Sequence, residues 1–403
     1  MLQFIVQFIE CEKNNINKLT WFYLILTCFE RESVMYNMYQ VFINVLFTII
    51  ISLSITPFIR RLSLKIGAVD EPNNRRVNKV AVPSMGGLAI YLTFFIAIFF
   101  LQPIALETSI PIFIASTIVI ITGVVDDIKD IKPIVKILGL LVASVVVIFM
   151  NNLTVEKINI PFWGDVSVPL WIGVPFTILW ILAITNSVNL IDGLDGLASG
   201  VSIISLTTIG IISLFFLGFG NTHIEVTILI FTLVGAIVGF IPYNFFPAKL
   251  YLGDTGSLFI GFMVSMLSLY GLKNITLISL LIPIVILGVP ITDTVYAMLR
   301  RYLNNKPISS ADKEHMHHRL MSLGLTHRQT VLFIYMIATI FSMIGLLYPM
   351  STLIGSILIT IALVIGVEIF VELIGLVGED RAPLLNIVRN FALKLNKNHK
   401  KNR

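Results

Sequence analysis

Eleven apolar stretches recur along the chain, each about as long as a helix that crosses a bilayer: 39 to 59, 85 to 102, 107 to 125, 133 to 150, 168 to 186, 197 to 217, 226 to 243, 255 to 271, 275 to 297, 329 to 348 and 351 to 373. At ~1.5 Å per residue, about 20 residues cover the ~30 Å hydrocarbon core. Lipid offers the backbone no hydrogen bonds, so only helices or closed barrels span it, and runs this long without two-residue alternation are helices. With 56% hydrophobic and 13% charged residues and a mean hydropathy of +0.92, a water-facing globular surface is out of reach. The expectation is all-α: a polytopic integral membrane protein with about eleven transmembrane helices.

Residues 1–38 read differently. Their two apolar runs, near 2 to 9 and 19 to 29, are too short to span, and they alternate with Glu10, Glu12, Lys13, Lys18, Glu30, Arg31 and Glu32. We expect an N-terminal extension, with translation starting at Met35 or Met38; an intact peptide from Met1 in mass spectra of the native protein would refute that start. The membrane domain is expected over 39–373, followed by a basic tail over 374–403 that rests on anionic lipid. Cys11 and Cys28 are the only cysteines, so neither a disulfide framework nor a cysteine metal site is available.

Lysine and arginine set the orientation. One set of loops (60 to 84, 126 to 132, 187 to 196, 244 to 254, 298 to 328 and the tail) holds 22 of the 28 basic residues, while the opposite loops hold only Lys157 and Lys273. The first set is expected in the cytoplasm. The net charge of +5 is too small and scattered for a nucleic-acid binder.

Every motif with chemical character falls on that same face. Asp126, Asp127 and Asp130 end a helix on one expected face, and their repulsion would be relieved by Mg²⁺, by a nearby cation or by protonation; an acidic helix end in solvent is the alternative. Asp192 and Asp195 stand between glycines, where carboxylates can meet a base or sugar, or else the segment is a helix connection packed through Gly196 and Gly200. Asp254, followed by Thr255, Gly256 and Ser257 at a helix start, is either a metal ligand or a helix cap. His315, His317 and His318 beside Arg319 suit phosphate contact better than zinc, for which no third ligand stands at a familiar spacing. Nucleophile-elbow, P-loop and dinucleotide fingerprints are missing from the sequence. Acids, amides, histidines and arginine around glycines suit Mg²⁺-dependent phosphoryl transfer. A lipid transporter would instead need polar residues along a path through the midplane, and the spans are nearly free of charge.

From about residue 40 to 373 the chain resembles the polyprenyl-phosphate N-acetylhexosamine-1-phosphate transferases, whose branches include MraY and the WecA/TagO enzymes. The resemblance is carried by Asp70-Glu71-Pro72-Asn73, Pro83-Ser84-Met85-Gly86-Gly87, Asp126-Asp127, Asn189-Leu190-Ile191-Asp192-Gly193-Leu194-Asp195-Gly196, Gly253-Asp254-Thr255-Gly256-Ser257 and His315-Met316-His317-His318-Arg319-Leu320. The last motif, followed by Gly324, His327, Arg328 and Gln329, is similar to the TagO side of the family.

The resemblance implies transfer of GlcNAc-1-phosphate from UDP-GlcNAc to undecaprenyl phosphate, with release of UMP, as the first membrane step of an envelope glycan such as teichoic acid. An MraY-like phospho-MurNAc-pentapeptide donor, or another UDP-sugar, is the alternative. It further implies an active site on cytoplasmic loops of the plasma membrane, with Mg²⁺ as cofactor and Mn²⁺ as a substitute, and it allows a homodimer. By motif, Asp254 and Asn189 would bind the metal, and Asp126 and Asp127 would deprotonate or position the lipid phosphate or help hold the metal. Asp192 and Asp195 would face the uridine, Tyr251 would stack on uracil or anchor at the interface, and Lys79 would approach the nucleotide. Lys136 matches a family lysine, Asn186 and Asn244 belong to the substrate-binding motifs, and His315, His317, His318 and Arg319 would contact the diphosphate or sugar. Asn78 and Leu140 depart from the family pattern, which has histidine and glutamine there. Asp293, inside the ninth apolar stretch, is expected to pair with a neighbour such as Arg300.

Overall fold

The computed structural model describes residues 18–70, 81–101, 104–160, 164–217, 224–270, 275–307, 312, 314–378, 383, 385 and 386. Lys79, Asn78 and Glu71-Pro72-Asn73 lie outside them, as does most of the basic tail. The helices are α1 (Lys18–Ile66), α2 (Gly86–Leu101), α3 (Leu106–Lys129), α4 (Pro133–Asn151), α5 (Leu170–Ile191), α6 (Leu197–Leu217), α7 (Ile224–Asn244) and α8 (Gly253–Tyr270). They continue as α9 (Leu277–Ile286), α10 (Gly288–Leu303), α11 (Met316–Ser322), α12 (His327–Leu347) and α13 (Leu353–Leu373).

Eight of these are long and apolar enough to cross a membrane: α1 from Val41, α3, α4, α5, α6, α7, α12 continued to Met350, and α13. The first expected span belongs to a helix that begins earlier, at Lys18, and α2 is a shorter apolar helix of 16 residues. The ninth stretch is divided at Leu287 into α9 and α10. The physical cause is Pro290, which has no N–H to give the Ile286 carbonyl one turn back.

The fold is not purely helical. β1 (Val69–Asp70) pairs antiparallel with β2 (Val82–Pro83), with Val69 opposite Pro83. On another sheet β3 (Lys157–Ile160) pairs antiparallel with β4 (Gly164–Ser167) and parallel with β5 (Ile275–Thr276).

α8 is the central pillar. Every residue from Thr255 to Leu269 is buried, so this helix is apolar all round because protein surrounds it on all sides. α13 is the opposite case: it buries only Ser356, Val371 and Glu372 and leaves Ile354 71% exposed, the surface expected of a helix against lipid. Two glycines let other helices close on the start of α8. A Cβ on Gly87 would lie 2.1 Å from the Gly256 Cα, and one on Gly123 would lie 2.4 Å from the Thr255 Cα. The loop before α8 is tied to the start of α2, where Gly86 and Gly87 donate their N–H groups to the carbonyls of Tyr251 (2.8 Å) and Leu252 (3.0 Å). These contacts bring the ends of α2, α3 and α8 to one place.

Candidate active site

Four helix ends supply the centre. Asp126 and Asp127 come from the last turn of α3, Lys136 from the first turns of α4, Asn189 from the end of α5 and Asp254 from the start of α8. The Lys136 ammonium lies 2.6 Å from Asp126 Oδ2 and also contacts Asp254 Oδ2, so one cation bridges two carboxylates. Asp126 Oδ1 accepts the Ile131 N–H at 2.9 Å, which ties the α3–α4 turn to the same carboxylate. Asn189 Nδ2 donates to Asp254 Oδ1 (2.7 Å) and to Ser257 Oγ (2.8 Å), leaving its carbonyl oxygen for another partner.

The paired acids are not equivalent. Asp127 Oδ1 accepts from Asp254 N (2.9 Å) and from Ser84 Oγ (3.2 Å), while Oδ2 accepts from Thr255 N (3.1 Å) and Thr255 Oγ1 (2.5 Å). That saturates the carboxylate, and it does the work of a helix cap for α8. Asp126 is the acid that faces the cluster. The expectation that Asp130 shares their face is corrected: it stands past the helix end with φ +52° and is exposed, because the chain must leave α3 through a left-handed residue.

The α5–α6 link forms one wall. Asp192, just beyond α5, has its carboxyl pushed well above the usual carboxylate range by burial and then by the charges of Asp254, Asp127 and Asp195. Asp195 is turned into the scaffold: its Oδ2 accepts from Ala248 N (2.9 Å), and its own N–H donates to His327 Nε2 (3.1 Å). Asn244 accepts from Ser199 Oγ (2.8 Å) and donates to the Leu250 carbonyl (3.2 Å), so it shapes the loop that carries Tyr251. Tyr251 is itself held by its backbone, its N–H donating to the Pro83 carbonyl at 2.9 Å. Asn186 turns back along α5, donating to the Leu182 carbonyl at 2.9 Å, and is not joined to the carboxylates.

The histidine motif forms the opposite wall on α11. His315 and His317 are buried, with ring planes within 4° and centroids 6.1 Å apart, and the His318 ring follows at 4.2 Å from that of His317. A Cβ on Gly193 would lie 2.4 Å from His317 Nε2, which shows how closely this ring approaches the α5–α6 link. Burial and then the charge of His318 push the His317 imidazole down to about 3, so it is neutral at physiological pH. Arg319 Nη2 donates to Glu314 at 2.9 Å.

The expected pairing of Asp293 with Arg300 is corrected. Asp293 Oδ2 lies 2.7 Å from His315 Nδ1, and its Oδ1 accepts the Met316 N–H at 2.7 Å. Arg300, buried on the same helix, pairs instead with Asp312 and donates to the Leu376 carbonyl. About two turns of helix separate positions 293 and 300, and the histidine loop folds between them and takes a partner from each. Burial alone would push the Asp312 carboxyl up, but the Arg300 hydrogen bond and charge outweigh it and hold it below the usual range. Asp312, His327, Ser199 and Ser84 were not singled out from the sequence as site residues. The visible signal for Asp293 was a carboxylate inside an apolar stretch, and Ser84 and His327 stood in or beside the motifs that carry the resemblance without a role of their own; Asp312 and Ser199, ordinary polar residues in a loop and at a helix start, gave none.

Among the described residues no three His, Cys, Asp or Glu side chains gather as a metal site. The acceptor atoms that converge are oxygens, those of the Asp126 and Asp254 carboxylates around the Lys136 ammonium, with the Asn189 amide bonded to Asp254 through its nitrogen. This hard donor set of two carboxylates fits Mg²⁺, which commonly takes one or two carboxylates and completes its shell with water and substrate phosphates.

Residues 109–272, which run from the first turn of α3 to just past α8 and include Asp126, Asp127, Asp192, Asp195 and Asp254, match the model of Glycosyl transferase family 4. The chain is 41% identical over 357 residues, 88% of its length and 98% of the relative's, to a Bacillus subtilis (strain 168) protein named probable undecaprenyl-phosphate N-acetylglucosaminyl 1-phosphate transferase. It is 30% identical over 311 residues, 71% of its length and 77% of the relative's, to the decaprenyl-phosphate N-acetylglucosaminephosphotransferase of Mycolicibacterium smegmatis (strain ATCC 700084 / mc(2)155). It is 29% identical over 307 residues, 73% of its length and 80% of the relative's, to the undecaprenyl-phosphate alpha-N-acetylglucosaminyl 1-phosphate transferase of Escherichia coli (strain K12). With the identity and coverage of the Bacillus relative spanning nearly all of both chains, the protein belongs to glycosyl transferase family 4.

Proposed function

We propose that this protein transfers GlcNAc-1-phosphate from UDP-GlcNAc to undecaprenyl phosphate, giving undecaprenyl-diphosphate-GlcNAc and UMP. An oxygen of the lipid phosphate attacks the β-phosphorus, the bond from that phosphorus to the bridging oxygen breaks, and UMP leaves with the electron pair. One phosphoanhydride replaces another. The observation that carries the reading is the meeting of Asp126, Lys136, Asn189 and Asp254 from four helix ends, because phosphoryl transfer is chiefly a matter of positioning and charge neutralisation. The names of the three relatives, each a polyprenyl-phosphate N-acetylglucosamine-phosphate transferase, support the same reading.

In this reading Asp254, Asn189 and Asp126 hold Mg²⁺, which when bound neutralises diphosphate charge. Lys136 neutralises phosphate oxygens and keeps the two carboxylates from repelling each other. Asp126 positions the lipid phosphate, while Asp192 and Tyr251 face the nucleotide. The histidine wall and Arg319 meet the diphosphate or sugar. In the same reading α2, α8 and the broken α9–α10 bring the spans to eleven, and the site lies at the cytoplasmic face of the plasma membrane, where an envelope glycan such as teichoic acid is begun; the excess of Lys and Arg in the loops of that side supports this orientation. Purified protein given Mg²⁺, undecaprenyl phosphate and UDP-GlcNAc should release UMP. Release with UDP-MurNAc-pentapeptide but not with UDP-GlcNAc would overturn the donor, and release with neither would overturn the reaction.

A further inference from the structure

The carboxylate cluster leaves one deeply buried acid unused. Asp293 on α10 is 1% exposed, and both of its oxygens are spent on the first turn of α11. A buried carboxylate costs several kcal/mol unless it is paired and hydrogen-bonded. Here the pairing is with the ring of His315, itself 6% exposed, and with the N–H of Met316. The arrangement does two things at once. It satisfies a free N–H at the start of α11, which has no side-chain cap of its own from His315, and it holds the imidazole that precedes the helix.

With Asp293 as a carboxylate, which can only accept, His315 Nδ1 is the donor of the pair. That leaves Nε2 as the nitrogen with a free lone pair, and among the described residues no hydrogen bond reaches it. The His317 ring lies parallel to it and reaches Gly193 across the site, so the orientation of His315 also sets where the wall of histidines stands against the α5–α6 link. We propose that Asp293 is a positioning residue for the transfer reaction: it fixes His315 as the Nδ1–H tautomer and leaves the Nε2 lone pair to accept a proton from a substrate group. The catalytic half of this rests on the transferase reading above; the tautomer does not. Arg300 has no part in the pair, because Asp312 and the Leu376 carbonyl occupy it.

The test is Asp293→Asn. The amide keeps an acceptor for Met316 N–H but turns an NH₂ towards His315 Nδ1, which forces the proton to Nε2. In ¹⁵N spectra of histidine-labelled protein in lipid nanodiscs, with His315→Gln assigning the resonance, the parent should show His315 protonated on Nδ1 and the variant on Nε2. The kcat for UMP release should fall about 100-fold or more, as for other wrong-tautomer variants, while KM for UDP-GlcNAc changes less than about threefold. Asp293→Asn should add nothing further to His315→Gln, since the two act as one unit. A parent spectrum with His315 protonated on Nε2, or a variant kcat within about threefold of the parent, would overturn the proposal. Should the variant not fold, the parent spectrum alone still decides the tautomer. Parent protein that releases no UMP would overturn the transferase reading and the catalytic half with it, leaving the spectrum to decide the pairing.

Discussion

Asp127 caps the helix that carries Asp254 in its first turn: its carboxylate accepts the backbone N–H of Asp254 at 2.9 Å and of Thr255 at 3.1 Å. The pair Asp126-Asp127 therefore divides its labour, one acid facing the site and the other building it.

Asp127→Ala should accordingly lower stability as well as activity. It strips four donors of a charged acceptor, and losing a cap or a charge-assisted hydrogen bond costs about 1–3 kcal/mol. Asp126→Ala should abolish UMP release while lowering the midpoint of thermal unfolding much less. The comparison is made by unfolding both variants in detergent. Equal midpoints for the two would show that Asp127 is no cap.

Lys136 bridges Asp126 and Asp254, so Lys136→Met leaves two carboxylates facing each other without a cation. Transfer should fall about 100-fold or more, as when a single preorganised charge is removed from a reacting site. Saturating Mg²⁺ should raise the unfolding midpoint of Lys136→Met more than that of the parent, because the metal then replaces the missing ammonium and binding to the folded state stabilises it. No difference in the Mg²⁺ response would count against metal binding between these carboxylates.

Much of this arrangement was legible from the chain because hydrophobic length and motif residues are local signals. The apolar stretches recur as helices even where Pro290 divides one of them. The residues Asp126, Lys136, Asn189 and Asp254 were each visible beside a helix end, and their meeting follows from topology. What was not legible is who bonds whom. Asp127 and Asp126 are neighbours of the same type, and only the rotation of α3 decides which reaches the α8 backbone. Asp293 was expected to reach along its own helix to Arg300, since local spacing is all that a sequence offers. Its actual partner arrives 22 residues later, from a loop whose path no periodicity encodes.

Gly193 stands where a side chain would collide with the histidine wall. A Cβ there would lie 2.4 Å from His317 Nε2 and 2.5 Å from Cε1, and the buried ring has little room to move. Gly193→Ala should lower kcat about tenfold or more by displacing His317, since misplacement by an ångström can cost up to about 100-fold. Gly366→Ala, at a position with nothing within 4 Å of the added carbon, is the control and should transfer at the parent rate. A Gly193→Ala enzyme as fast as that control would show that His317 need not keep its place.

His317 also sets a direction for stability against pH. Its imidazole is pushed down to about 3 in the folded protein by burial and then by His318, whereas an unfolded histidine titrates near 6.5. The unfolded chain therefore binds the proton first. Stability from this group is fully present above pH ~6.5 and is lost as the pH falls towards about 3, with a slope of up to ~1.4 kcal/mol per pH unit from one proton. His317→Gln is neutral at every pH and removes that slope. Between pH 7 and 5 the parent's unfolding midpoint should fall more steeply than the variant's, even where the variant is less stable at pH 7. Parallel curves would mean that His317 takes up its proton equally in both states, and that the wall it forms is open to water rather than closed over the α5–α6 link.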